Sequence, residues 1–273
     1  MRSSLLIKIS ALLMVGATLF VMASCSLTGE QAEEESTTEP PIVTMEARPA
    51  DDTAALDFFN RAVNRIKAEK PGVSVGRSAR VQNVDTGDCP EAEALIQFAK
   101  SFSDALNGED ASAEYGADLN DLLPLKGTSD VSRLTMGDIK GVALEDSEDD
   151  PHIYIVKIEL QDGDASGAVA KAFDLDIDKS EVLKNFTDYK KLLEVSDYDV
   201  TYNECTIEAR INKEDNRVQS LDYTLNSDVT TDVNFTGTLA SLGETPVSFR
   251  LQQSLHVGDF QWEPPTEAET QEG

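Results

Sequence analysis

Cys205-Thr206-Ile207-Glu208-Ala209-Arg210-Ile211 decides the fold. Cys205, Ile207, Ala209 and Ile211 alternate with Thr206, Glu208 and Arg210. A period of two puts successive side chains on opposite faces, so this is a strand with one dry face and one wet face. The same period continues toward the C-terminus. Leu221, Tyr223 and Leu225 alternate next, then come Val229, Val233, Phe235 and Leu239. Last, Val247, Phe249, Leu251, Leu255 and Val257 alternate with Ser248, Arg250, Gln252, Ser254 and His256. Lys213-Glu214-Asp215-Asn216, Asn226-Ser227-Asp228 and Ser241-Leu242-Gly243-Glu244 supply turn chemistry between them. The pattern predicts a four-strand antiparallel meander, wet on one side.

The dry side needs a cover, and amphipathic helices upstream supply it. Asp51-Asp52-Thr53 is a good helix start, because acids and hydroxyls suit an N-cap. Leu56, Phe59, Val63 and Ile66 share one helical face as far as Pro71-Gly72. A strand over about 73–84 follows, then a helix after Pro90 with Leu95, Phe98, Phe102 and Leu106 as its stripe. Residues 109–137 read as irregular. Ile139 to Leu144 and Ile153 to Leu160 read as a hairpin joined by an acidic loop. A short helix is predicted over 166–173. A longer one over about 179–193 has Asp178 and Glu181 as its capping box, with Val182, Phe186, Tyr189 and Leu193 at helical spacing. The expected class is α+β: one curved antiparallel sheet with helices packed on its inner face.

The N-terminus carries an address. Arg2 and Lys8 precede an apolar run from Ile9 to Val21, and Ala23-Ser24 stand before Cys25. A basic start, an apolar middle and small residues at the cut make a secretory signal. The run is shorter than the about 20 residues a spanning helix needs. Met22-Ala23-Ser24-Cys25 resembles the lipobox of bacterial lipoproteins. That resemblance implies a cut before Cys25, a diacylglyceryl group on its thiol, palmitate-type acylation, and a place on the extracytoplasmic face of the cell membrane. Residues 1–24 are then a signal peptide. Residues 25–50 are the lipidated cysteine and an acidic linker, whose run from Gln31 to Pro40-Pro41 has little to bury. Residues 51–262 form a single domain, and 263–273 an acidic tail.

The formal charge is −28, and the signal segment holds cations but no acid. So acidic a chain is a poor ligand for nucleic acid, whose phosphates call for clustered Lys and Arg. It is equally unsuited to electrostatic docking on anionic lipid. Apolar residues make up 40%, enough for a folded domain. Besides Cys25 the chain holds Cys89 and Cys205. Outside the cytoplasm they can bridge or remain two buried thiols, and spacing alone leaves both open.

Chemistry is thinly represented. Gly72-Val73-Ser74-Val75-Gly76 matches the nucleophile elbow, but that chemistry needs a strand before the serine and a helix after it. Here the order is reversed. His152 and His256 are the two histidines, and no triad spacing involves them. Asp174, Asp176 and Asp178 have calcium-loop spacing, yet Lys179 and Asn185 occupy the positions where that loop needs Gly and Glu. Asp146, Glu148, Asp149 and Asp150 form an acidic loop suited to a solvated hairpin end. No phosphate-binding glycine pattern is present, and no cofactor is called for. The chain is expected not to be an enzyme.

A lipid-anchored domain of this outline is similar to the half-barrel lipoproteins of the LolA and LppX kind, over roughly residues 51–262. The resemblance is architectural and rests on no motif. It implies an apolar ligand, a lipid included, held between sheet and helices. Inward residues such as Tyr223, Phe235 and Phe249 would line that cavity or simply fill the core. The alternative is an envelope protein that binds other proteins and takes no small ligand. A hydrolase acting on envelope material is the least favoured reading.

Overall fold

A computed structural model describes residues 47–89, 95–97, 99–100, 103, 107, 110–119, 122–123, 132–164, 166–173, 193–195 and 197–265. The signal segment, Cys25 and the linker up to residue 46 lie outside these residues. So do Asp174, Asp176, Asp178 and most of the helix expected over 179–193.

Helix α1 spans Asp52–Glu69. Asp51 caps it by accepting from the Ala54 N–H at 2.9 Å. Lys70, at φ 48, ends it by donating its N–H to the Ile66 carbonyl. The expected stripe of Leu56, Phe59, Val63 and Ile66 is buried, joined by Ala55, Phe58 and Ala62. Each large apolar side chain buried this way contributes about 1.5–3 kcal/mol.

The rest is dominated by one antiparallel sheet, open and curved. Its strands are β1 (Gly72–Asp85), β2 (Ala111–Ala113), β3 (Ile139–Asp146), β4 (Ile153–Leu160), β5 (Leu193–Val195), β6 (Asp199–Tyr202), β7 (Thr206–Asn212), β8 (Val218–Phe235) and β9 (Glu244–Gln261). A short helix α2 spans Ala168–Phe173. The main order is β2-β1-β9-β8-β7-β4-β3, with β5 and β6 pairing to β8 beyond the end of β7.

The C-terminal meander has three strands where four are expected. Asn226-Ser227-Asp228 is no turn but the middle of β8. The β8–β9 register runs without a shift from Leu221↔Val257 to Asn234↔Glu244. The reason is visible in the parity. Leu221, Tyr223, Leu225, Ser227, Val229, Thr231, Val233 and Phe235 all fall on odd positions and all are buried. A tight turn would have interrupted that series. The polar triplet instead works sideways, where β8 exchanges β7 for β6. The Asn226 carbonyl accepts from Asn203 N at 3.1 Å, and its Nδ2 donates to the Glu204 carbonyl at 2.9 Å. Ser227 Oγ donates to the Leu251 carbonyl at 3.3 Å.

Two further expectations change. Leu193, expected at a helix end, lies in β5 opposite Phe235. Leu239, expected in a strand, lies in a 3-10 turn over Gly237–Leu242.

The inner face carries two apolar clusters. One joins α1 to β3, β4, β7 and the first half of β8, and includes Tyr223 and Cys205. The other gathers Leu95, Ala99, Leu193, Tyr198 and the second half of β8 with Val247, Phe249 and Leu251.

Candidate functional site

The outer face of the sheet is where polar side chains gather. Cross-strand neighbours fall in rows because opposite residues share a face. One row runs Lys157, Glu208, Asp222, His256, Gly76 across β4, β7, β8, β9 and β1. The next runs Glu159, Thr206, Thr224, Ser254, Ser78. A third joins Asp228, Arg250 and Gln82.

Arg250 organises the densest part. Its Nε donates to Asp228 Oδ1 at 2.9 Å, Nη1 to Glu204 Oε2 at 2.7 Å and Nη2 to Asn203 Oδ1 at 2.6 Å. Asn203 Nδ2 returns a bond to Asp228 Oδ2. The guanidinium holds the Asp228 carboxyl below its usual range, and Asp228 and Glu204 raise Arg250 further above its own. Gln252 extends the network by donating to Asn226 Oδ1 at 2.9 Å and accepting from Arg80 Nε at 2.7 Å. Glu204, at φ 51, makes the sharp corner between β6 and β7 that this network straps down.

Ser74 and His256 come close on this face without forming a triad. His256 Nδ1 lies 2.7 Å from Asp222 Oδ1. Its ring leans over Gly258, where a Cβ would sit 2.8 Å from Nε2. Gly258 pairs with Ser74. The Ser74 hydroxyl, however, donates to Asp259 Oδ2 at 2.6 Å. Ser74 lies within a strand, not on a strained turn before a helix. His152 stands apart, its Nδ1 3.0 Å from Glu214 Oε1.

The acidic loop is partly tied down. Asp146 accepts from Lys213 Nζ at 2.6 Å and from Arg48. Those two cations hold its carboxyl below the usual range. Asp150 Oδ1 accepts from the His152 N–H at 2.9 Å. Among the described residues, no group of three or more His, Cys, Asp or Glu side chains is placed to hold a metal.

The bridge considered between Cys89 and Cys205 is not formed, and both are free thiols. Cys205 belongs to the first cluster, its Sγ 3.4 Å from the Asn226 carbonyl, whereas Cys89 packs against the second. Burial pushes the Cys205 thiol up.

Tyr223, Phe235 and Phe249 do not face one chamber. Tyr223 sits in the first cluster and the two phenylalanines in the second, each 2 % exposed. Tyr202, the last residue of β6, is 1 % exposed, and its hydroxyl has no hydrogen-bond partner among the described residues. Burial, with Tyr198 and Cys205 nearby, pushes its pKa up to about 12.

Hollows open on the surface of the described residues. One of about 580 Å³ follows α1 past Phe58, Arg61, Ala62 and Arg65 to Asn216. One of about 470 Å³ lies over Gly141, Ala143, Lys157, Glu159 and Thr206 on the outer face. One of about 290 Å³ is lined by Asp85, Asp199 and Asp232. The Arg250 network escaped the sequence reading because the groups that Arg250 binds stand 22 to 47 positions from it. Only the outward parity of Arg250 and Gln252 hinted at it.

No family model, no curated protein and no solved structure matches this chain.

Proposed function

We propose that this protein is a lipid-anchored extracytoplasmic lipoprotein whose single domain is a non-enzymatic binding module, meeting another envelope protein through its outer sheet face. In this reading the cut falls before Cys25, the thiol carries the lipid, and the acidic linker holds the domain off the membrane.

The observation that carries the choice of face is the Arg250 network. A fixed, half-buried lattice of donors and acceptors on the outer face is preorganised for recognition, because little side-chain entropy remains to be lost on binding. The Ser74 hydroxyl donates to Asp259 and not to His256, which argues against a nucleophile and base working as a pair there. The separation of Tyr223 from Phe235 and Phe249 argues against one apolar chamber.

One observation favours the second reading, an apolar small ligand held inside: the buried Tyr202 hydroxyl, which has no partner among the described residues. A buried polar group without a partner is costly and calls for one.

The anchor and the binding are tested separately. Cells fed labelled palmitate should label the wild-type chain, and Cys25→Ser should lose both the label and the membrane fraction. Retention of label in that variant refutes the anchor. Native mass spectrometry of the purified protein reads the ligand. A mass at the sequence value supports surface binding. A lipid mass that leaves on denaturation supports the internal ligand and overturns the surface reading.

A further inference from the structure

Asparagine followed two places later by threonine occurs at Asn185-Phe186-Thr187 and at Asn234-Phe235-Thr236. Such a triplet, with no proline in the middle, is the acceptor motif for N-linked sugar in exported chains. Residues 185–187 lie outside the described residues. Asp232 stands two places before Asn234, whereas Leu183 stands two places before Asn185. The longer pattern, Asp-x-Asn-x-Thr, gives a transferase a charge to grip beside the acceptor amide.

The triplet sits at the end of the hairpin formed by the two 18-residue strands, β8 and β9. Asn234 is the last residue but one of β8, and Thr236 caps the 3-10 turn over Gly237–Leu242. Strand parity presents the asparagine. Phe235 is buried in the second cluster, so Asn234 before it turns to the outer face, where it is exposed. Its register partners Glu194 and Glu244 are exposed too, so a group attached there covers charged neighbours and no apolar ones. Asn60, Asn64, Asn203 and Asn226, by contrast, spend their amides on hydrogen bonds within the fold. Asp232 shares the outer face with Asn234, about 7 Å along the strand. With Thr230 and Ser248 it lines the hollow of about 290 Å³, a set of donors and acceptors that suits sugar hydroxyls.

We propose that Asn234 is a site of N-linked glycosylation, read together with Asp232, which takes an oligosaccharide from a lipid diphosphate carrier outside the cytoplasm. Asn234 Nδ2 attacks the anomeric carbon of the carrier's first sugar. A C–N bond forms and the anomeric C–O bond to phosphate breaks. The lipid diphosphate leaves with that electron pair, and one amide proton passes to solvent. The backbone of Asn234 is paired on both sides, with Glu194 and with Glu244. Transfer therefore precedes closure of the hairpin, and the outward side chain then carries the sugar into solvent. Asp228 lies six residues back along β8, about 20 Å away, so the sugar is rooted clear of the Arg250 network. The inference rests on the export contained in the proposed function, and it holds with or without lipid on Cys25.

The test is mass spectrometry of the full-length protein purified from the organism that encodes it, read on the intact chain and on its peptides. The peptide holding Asn234 should carry a sugar mass. Asn234→Gln and Thr236→Ala should lose it, and Thr236→Ser, which keeps the hydroxyl, should retain it. Asp232→Asn should carry several-fold less. The intact mass also reads whether residues 1–24 have been removed. A processed chain with no sugar at Asn234 overturns the site and leaves the export reading standing. An unprocessed chain with no sugar overturns both. Sugar confined to Asn185 overturns the choice of asparagine, and full occupancy in Asp232→Asn overturns the part given to Asp232.

Discussion

Arg250 and Asp228 face each other across β8 and β9 as direct register partners, with Nε 2.9 Å from Oδ1. The pair sits where β8 releases β7 and takes β6. It therefore ties the change from β7 to β6 on that side of β8 to the strand on the other side. Three further bonds from the same guanidinium and Asn203 make it a junction rather than an isolated surface pair.

Arg250→Ala is expected to lower stability by about 1–2 kcal/mol, more than an exposed ion pair is usually worth, because several charge-assisted bonds go together. Arg250→Lys should recover only part, since a point charge cannot fork between Asp228, Glu204 and Asn203. Thermal melts of the two variants check this. A loss no greater than a few tenths of a kcal/mol would mean that the network is decorative.

Acid should destabilise the domain in a defined window. Asp228 is held below its usual range by Arg250 and then Asn203, and Asp146 by Lys213 and Arg48. At Asp138 burial alone would raise the carboxyl, but bonds from Lys171 and Thr135 outweigh it and hold it low. A carboxyl depressed in the folded state adds stability that is complete above its unfolded value, about 3.9. That stability fades as the pH falls through the folded value. Melting temperature should be flat from about pH 7 to 5 on this account and drop below about pH 4. Asp228→Asn should start lower and respond less to acid.

Phe59→Ala should cost about 3–5 kcal/mol, because the ring is 1 % exposed and its removal leaves a void between α1 and the sheet. Chemical denaturation measures it. A cost below about 2 kcal/mol would mean that α1 collapses into the space.

Tyr202→Phe should leave stability unchanged or raise it by about 1 kcal/mol, since it deletes a buried hydroxyl that makes no bond among the described residues. A clear loss in the melt would show that the hydroxyl has a partner in solution, which favours the internal ligand.

Much of the sheet was legible locally. The alternation at Ile207, Ala209 and Ile211 is a property of neighbouring residues, and β7 lies there. The cap at Asp51 and the stop at Pro71 are equally local, and α1 follows them. The break expected at Asn226-Ser227-Asp228 failed because turn propensity was weighed above parity, although every odd position from Leu221 to Phe235 kept to one face.

The sequence by itself determined the strand period, the bounds of α1, the acidic surface and which face of each strand would be dry, because these depend on residues a few positions apart. Only the tertiary structure decided that β8 is a single strand serving β7, β6 and β5 in turn, that Cys89 and Cys205 lie in separate clusters, and that Arg250 gathers Asn203, Glu204 and Asp228. Those outcomes depend on pairing between distant segments. Register is set by the burial of a whole face at once, which no local window contains.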